Sequence, residues 1–193
     1  MIPAPSRTPS LVGYLLIHLV VKANPATLIA GNRCEGFDCQ GSTKTPALVY
    51  FPPGVYKVSR TINFGMYTQL AGDAVDWPTL KATSNFGANV VLDGFPQDSS
   101  GRRWNNNAAE LNFHKSVRNI KIDVTAVPSI TAVSCINWAV AQATSLFQMV
   151  FLMNDNSQHL GVVMFGGGSG IFMGDLVALA RSDFCHVVDV NES

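Results

Sequence analysis

Short apolar segments rich in Val, Ile and Phe follow one another from Ala47 onward, separated by Gly, Asn, Asp and Pro. Segments of this kind, bounded by turn-forming residues, are typical of β-strands. Pro52-Pro53-Gly54 predicts a turn inside the first of them, because proline fixes φ and glycine admits unusual backbone angles. No long stretch keeps a helical apolar period together with helix caps, so we expect an all-β chain with few helices. The predicted strands are Leu48–Phe51, Val55–Val58, Asn89–Leu92, Val117–Val124, Ser134–Val140, Leu146–Met153, Leu160–Phe165 and Gly170–Leu179.

One motif recurs along these segments: an apolar residue, any residue, a polar landmark and a second apolar residue. The landmarks are Asn119, Gln148 and Asp175, at intervals of 29 and 27 residues. A weaker series relates Cys135 to His159, 24 residues later. Repeats of this length mark a solenoid, because one repeat cannot bury its own apolar face and must stack on neighbours. The pattern predicts a right-handed, single-stranded parallel β-helix rather than a β-sandwich or jelly roll, and a leucine-rich signature is missing.

The repeat places two further polar residues in register. Gln142 and Ser169 each lie six residues before their landmark, so we expect them on adjacent coils, about 4.8 Å apart and facing the same way. Ser169 lies in the glycine-rich segment 166–170, where small residues let a ligand approach the backbone. Two interpretations stay open: a ligand-binding pair, or an internal ladder of amide and hydroxyl groups.

Composition narrows the class of protein. Lys plus Arg equals Asp plus Glu at 13 each, so no long-range charge attracts nucleic acid or an anionic membrane. Charged residues make up 13% of the chain, against about 25% in an average domain. This balance is typical of a secreted β protein rather than a helical cytosolic one.

The N-terminal segment also indicates secretion. Arg7 precedes the apolar run Leu11–Val21, which is shorter than the roughly 20 residues of a membrane-spanning helix but suits a secretory signal. Val21-Lys22-Ala23 would serve as a cleavage site, and a buried strand or a mis-assembled gene start are the alternatives. Cys34 and Cys39 enclose a short loop, which predicts a local disulfide in an oxidising compartment rather than a metal site.

Several blocks of sequence, taken in order, resemble one family. They are TPALVYFPPGVYKVSRTI, YTQLAGD, WPTLKA, VRNIKIDVTAV, INWAVAQATSL and GGGSGIFMGDLV. Together they are similar to glycoside hydrolase family 55, the fungal exo-β-1,3-glucanases of the pectate-lyase-like superfamily, over about Gly31 to Val177. The resemblance implies two tandem right-handed β-helices with the substrate cleft between them. It also implies inverting hydrolysis that releases glucose, or a disaccharide, from a chain end.

The resemblance assigns roles to the pair found from the repeat. In the family, a Gln and a Ser of the first β-helix hold the nucleophilic water, and the matching positions here are Gln142 and Ser169. The catalytic Glu lies in the second β-helix, beyond the last block matched here. We therefore expect a fragment of a secreted glucan 1,3-β-glucosidase, inactive without that second β-helix. The alternatives are a non-catalytic β-glucan-binding module and a non-functional truncated product.

Other candidate residues carry weaker signals. His159, Trp138 and Gly168 are predicted to contact substrate, although Trp138 lies in an alternating strand and would serve equally as core. Asp123 and Asp175 could form an acid pair, but contacts to solvent or to nearby backbone are the more ordinary interpretation. No motif for a cofactor, a metal or a phosphate is present, so no cofactor is predicted.

Both ends depart from the family pattern. Residues 1–30 do not match the family's usual entry into the first coil, and residues 181–193 form a divergent tail. The predicted organisation is therefore an atypical N-terminal segment at 1–30, a partial β-helix at 31–180 and that tail. A solenoid cut in mid-stack would expose an apolar coil face and unpaired strand edges.

Overall fold

The computed structural model describes residues 47–65, 67–95, 112–164, 171–179 and 187–189. These ranges contain twelve strands and no helix. Every pairing between the strands is parallel. The strands are β1 (Ala47–Phe51), β2 (Val55–Val58), β3 (Ile62–Asn63), β4 (Thr68–Gly72), β5 (Thr79–Ala82), β6 (Val90–Asp93), β7 (Ser116–Asp123), β8 (Val133–Asn137), β9 (Thr144–Leu152), β10 (His159–Met164), β11 (Ile171–Leu179) and β12 (Val187–Asp189).

The strands stack as five coils with three walls. The first wall consists of β1, β4 and the N-terminal halves of β7, β9 and β11. The second wall consists of β2, β5 and the C-terminal halves of the same three long strands. The third wall consists of β3, β6, β8, β10 and β12. This arrangement is a parallel β-helix, which confirms the fold class expected from the sequence.

The polar landmarks form the corner between the first and second walls. Asn119, Gln148 and Asp175 have positive φ angles of 56°, 54° and 52°, a left-handed conformation that Asn and Asp tolerate better than most residues. Ile120 pairs with Met149, and Met149 with Leu176, so the three landmarks lie one above another. A single left-handed residue thus turns each long strand from one wall into the next.

A second set of left-handed residues marks the start of the first wall. Tyr67, His114 and Ala143 have φ angles of 55°, 55° and 56°. Each lies two residues before the aligned positions Gln69, Ser116 and Ser145, so these residues also stack coil on coil. The corner repeats in space although its residue type differs from coil to coil.

Inward-facing apolar side chains align in columns through the stack. Leu70, Val117 and Leu146 occupy one register position of the first wall, and all three are almost wholly buried. The second wall has such a column at Leu80, Ile122 and Phe151, and the third wall at Leu92, Ile136 and Val162. Full burial of one such side chain stabilises the fold by about 1.5–3 kcal/mol. Each coil therefore depends on its neighbours to cover its apolar edge.

Buried polar side chains join the segments that follow β3, β6 and β8, in the first three coils. Asn112 is fully buried, and its Nδ2 donates to the carbonyl oxygens of Gly94 at 2.9 Å and Ala139 at 2.7 Å. Lys115 is equally buried; its Nζ donates to the carbonyl oxygens of Phe64 and Gly94 and lies over the Phe64 ring. These bonds satisfy backbone carbonyl oxygens that lie just after strands of the third wall, where the ladder of strand-to-strand hydrogen bonds has ended.

One predicted register between coils was wrong, and it concerns the third wall. The weaker repeat series aligned Cys135 with His159, whereas the structure pairs His159 with Val133. Because side chains alternate with a period of two, a shift of two residues leaves every side chain on the same face. The apolar pattern therefore could not reveal the error.

Candidate functional site

Gln142 lies at the corner where the fourth coil enters the first wall. Its side chain is exposed. Its backbone carbonyl oxygen accepts a hydrogen bond from the backbone N–H of His114 at 3.4 Å. Thr144 pairs with Ile171 on the next coil, and this offset of 27 residues also separates Gln142 from Ser169. Ser169 and Gly168 lie outside the described residues, as do Cys34 and Cys39. The Gln142–Ser169 pair and the disulfide therefore stay predictions.

A polar cleft of about 310 Å³ opens beside Gln142. Gln69, Ser116 and Ser145 occupy the same register position on three successive coils and line the cleft. The Tyr67 and His114 rings stack at its edge, with their centroids 4.5 Å apart. The amide and hydroxyl groups can exchange hydrogen bonds with a hydroxylated ligand. The remaining lining residues are His114, Lys115, Ala143 and Thr144, so no described lining residue is a carboxylate.

Trp138 is a core residue. Its exposed fraction is 0%, and its indole lies 6.3 Å from the Phe64 ring, centroid to centroid. A side chain without exposed surface cannot stack on a sugar, so the structure corrects the predicted substrate contact in favour of the core alternative. Sequence alternation could not decide this, because an aromatic residue suits either face of a strand.

His159 lies on the third wall and is not among the residues that line the cleft beside Gln142. Only 6% of it is exposed; its Nδ1 accepts the Asn154 N–H at 3.4 Å, and its Nε2 lies 3.3 Å from the Pro128 carbonyl oxygen. These partners favour the neutral ring with its proton on Nε2. Burial lowers the pKa of His159, while the bond to Pro128 opposes that shift. The described contacts therefore give His159 a structural role, in place of the predicted substrate contact.

The lowered pKa of His159 predicts a loss of stability in acid. Since the folded pKa lies below the ordinary value of 6.5, the unfolded chain binds more protons between the two values. Stability is therefore full above pH 6.5 and falls as the pH drops from there to the folded pKa, by up to about 1.4 kcal/mol for each pH unit in this window. Urea unfolding at pH 7.5 and pH 5 measures the change. His159→Gln should show a smaller difference between the two pH values than His114→Gln, and equal differences would contradict this role.

The structure does not bring the candidate acid pair, Asp123 and Asp175, together. Asp123 ends β7 in the second wall, and Asp175 forms the corner two coils further on. Burial by itself would raise the pKa of Asp123, but hydrogen bonds from Lys81 Nζ at 2.7 Å and from Thr125 lower it on balance. Asp123 is thus an ionised structural residue rather than a proton donor.

A larger cleft, which the sequence did not indicate, lies on the outer face where the first and second walls meet. Its volume is about 560 Å³. Tyr50, Arg118 and Phe147 line it from three different coils, together with Asp73 and Gln148. The sequence could not indicate this cleft before the register was known, because Tyr50, Arg118 and Phe147 are 29 to 97 positions apart.

Three further observations bear on the chemistry of the described residues. No described group of three or more His, Cys, Asp or Glu residues could hold a metal ion. None of the described segments forms a helix long and apolar enough to cross a membrane. Burial strongly raises the pKa of the free Cys135 thiol, so this group is a small core residue rather than a nucleophile.

Known proteins similar to this chain fall into two groups by name. A probable glucan endo-1,3-beta-glucosidase of Arthroderma benhamiae is 44% identical over 77% of this chain, and a glucan 1,3-beta-glucosidase of Cochliobolus carbonum is 35% identical over 76%. The non-secreted LysM effector LysM15 of Penicillium expansum is 43% identical over 72%. The matches cover 17%, 18% and 10% of these relatives, so the chain spans less than a fifth of their length.

A family model also matches this chain. The model for rhamnogalacturonase A/epimerase, pectate lyase-like proteins matches residues 17–185, which is most of the chain. The parallel β-helix, the family model and the relatives that carry glucan 1,3-β-glucosidase names confirm the resemblance to fungal β-1,3-glucanases. The chain belongs to the rhamnogalacturonase A/epimerase, pectate lyase-like family.

Proposed function

We propose that this chain supplies the water-positioning wall of a secreted, inverting exo-β-1,3-glucanase. Gln142 and Ser169 hold the nucleophilic water, and the general acid comes from a second β-helix, as the family resemblance implies. The observation that carries the proposal is the exposed Gln142 at a coil corner, beside a cleft lined by amide and hydroxyl groups. The relatives named as glucan 1,3-β-glucosidases support the choice of substrate.

The proposed chemistry requires positioning rather than proton transfer from this wall. An inverting glycosidase protonates the leaving oxygen on one face of the sugar and directs water to the opposite face, with about 6.5–9.5 Å between the two groups. The Gln142 amide oxygen can accept a hydrogen bond from a water molecule, and a serine hydroxyl can fix the orientation of that water. Such placement lowers the entropic part of the barrier. Gln69, Ser116 and Ser145 would bind the sugar hydroxyls.

The proposal predicts binding without turnover. The purified chain should release no reducing sugar from laminarin above background, because no described residue lining the cleft is a carboxylic acid that could protonate the leaving oxygen. Calorimetric titration with laminari-oligosaccharides should show binding that Gln142→Ala weakens about tenfold, which corresponds to about 1.4 kcal/mol and to one lost hydrogen bond. Gln158→Ala is the matched control, since Gln158 is an exposed glutamine directly before β10 of the third wall, whereas Gln142 is adjacent in the chain to the cleft residues Ala143 and Thr144.

Three results would reject this proposal in different ways. Substantial glucose release by the chain alone would mean that a general acid is present. Binding that is as tight in Gln142→Ala as in the wild type would instead favour a non-catalytic glucan-binding module. The relative named as a LysM effector, 43% identical to this chain, supports that second candidate, because its name is not that of a hydrolase. Absence of any binding would leave the truncated-product alternative.

A further inference from the structure

The larger outer cleft, hereafter the corner cleft, crosses the first four coils where the first and second walls meet. It measures about 560 Å³, within the range of roughly 300–1,000 Å³ that is typical of small-molecule sites. It is separate from the cleft beside Gln142, because the two have no lining residue in common. Its lining residues include Tyr50, Asp73, Arg118, Asn119, Phe147 and Gln148.

The register of the first wall explains the shape of the corner cleft. Tyr50, Ala71, Arg118 and Phe147 occupy one outward-facing position on four successive coils. The small side chain of Ala71 leaves a depression between the large side chains of Tyr50 and Arg118. With about 4.8 Å between neighbouring strands, Tyr50 and Phe147 lie about 14 Å apart along the stack. The cleft is therefore an elongated groove with an aromatic ring at each end.

The floor of the corner cleft contains an unsatisfied acceptor. Asn119 is 7% exposed, and its Nδ2 donates to the Gly72 carbonyl oxygen at 3.4 Å. Its Oδ1 has no hydrogen-bond partner among the described residues. A buried acceptor without a partner carries a free-energy cost. A small shift of this amide towards a bound hydroxyl donor would remove that cost.

The rim of the corner cleft carries one anionic group and one cationic group. Asp73 is held in place, since it accepts the Tyr50 hydroxyl at 2.8 Å and the Val75 and Asp76 N–H groups at 2.9 Å. Arg118 is exposed and forms no ion pair with any described residue. The balanced charge favours a neutral ligand over an anion or a cation. Carboxylate, guanidinium and amide groups together can both accept from and donate to hydroxyl groups.

We propose that the corner cleft is a second saccharide-binding site, which takes a short stretch of neutral glucan. Sugar hydroxyls bind the Asp73 carboxylate, the Arg118 guanidinium and the Gln148 amide, while the C–H faces of the rings pack on Tyr50 and Phe147. That the ligand is a β-1,3-glucan rests on the proposed function, whereas its neutral, hydroxylated character rests on the cleft itself. Gln148 lies six residues beyond Gln142, and the corner residue Ala143 and strand residues 144–147 separate the two. The corner cleft would therefore hold a glucan chain away from the reacting bond.

Calorimetric titration with laminaritriose tests this site in the background of Gln142→Ala. That variant should retain binding, and adding Arg118→Ala or Tyr50→Ala should weaken the residual binding at least tenfold. Tyr50→Phe should have a smaller effect, since the ring remains. Lys121→Ala is the matched control, because Lys121 is a cation of the same strand outside both clefts. Unfolding midpoints equal to that of the control establish that the variants are folded.

The possible outcomes separate the second site from the proposed function. If the wild type binds laminaritriose and Gln142→Ala does not, the second site is rejected and the proposed function stands. Residual binding that is unchanged by Arg118→Ala and by Tyr50→Ala also rejects the second site. If the wild type does not bind at all, both proposals fail. Nuclear magnetic resonance on the unsubstituted protein is a second measurement, and laminaritriose should shift the Gly72 and Asn119 amide signals.

Discussion

Gly72→Ala is expected to destabilise the protein by about 3 kcal/mol or more, at or above the upper end of the usual cost of overpacking. A β-carbon at this position would overlap the Asn119 carbonyl oxygen of the next coil and would lie 2.7 Å from Pro78 Cδ. Neither a backbone oxygen nor a proline ring can rotate away. The second and third coils would have to separate at this point. Urea unfolding followed by circular dichroism measures the loss as a lower midpoint.

Gly87→Ala provides the matched control for this substitution. No atom lies within 4 Å of a β-carbon built on Gly87, so stability should change by no more than about 0.5 kcal/mol. Equal midpoints for Gly72→Ala and Gly87→Ala would show that the coils are not in close contact at Gly72. A selective loss in Gly72→Ala would locate the contact at the corner between the first two walls.

Trp138→Ala should cost about 3–5 kcal/mol, the range for removal of a large buried aromatic side chain. Trp138 is fully buried against Phe64, and its Nε1 has no hydrogen-bond partner among the described residues. Trp138→Phe should cost much less, because it keeps one ring and removes the unpaired N–H group. Denaturant midpoints of the two variants, compared with the wild type, give the two losses.

Ile130→Ala is a suitable control for the tryptophan variants, since Ile130 is 84% exposed and its truncation should be nearly neutral. Laminaritriose titration of Trp138→Phe adds a functional measurement. If Trp138→Phe keeps its stability but no longer binds the sugar, Trp138 contacts the substrate and is not only a core residue. Weaker folding with unchanged affinity would confirm its place in the core.

The coil repeat could be predicted because two signals coincide at the same intervals. Apolar alternation identifies which strand positions face inward, and the landmarks Asn119, Gln148 and Asp175 give the register between coils. Their role as left-handed corners was not predicted, since Gln148 is a residue type that seldom adopts positive φ. The first two coils turn the same corner with longer segments and carry no landmark there. Their strands β3, β4 and β5 were therefore missing from the prediction.

The clefts could not be predicted because their residues are far apart in sequence. Gln69 pairs with Ser116, an interval of 47 residues, whereas Ser116 pairs with Ser145 after only 29. A long insertion costs little in loop entropy, but it interrupts the period from which a register is read. The side chains of Tyr50 and Arg118 could consequently not be placed on one surface before the strand pairing was known.

The corner between the first and second walls is also the point where coils differ in length without disturbing one another. In the third coil the single residue Asn119 forms the corner. In the first coil Pro52-Pro53-Gly54 forms it, and in the second coil the segment 73–78 does. The apolar columns on either side keep their alignment in all three cases. Insertions at this edge can thus reshape the outer surface while the interior is conserved. Engineered loops grafted at Asn119 or Gln148 would project beside the groove, which makes this edge a natural place to alter what the protein recognises.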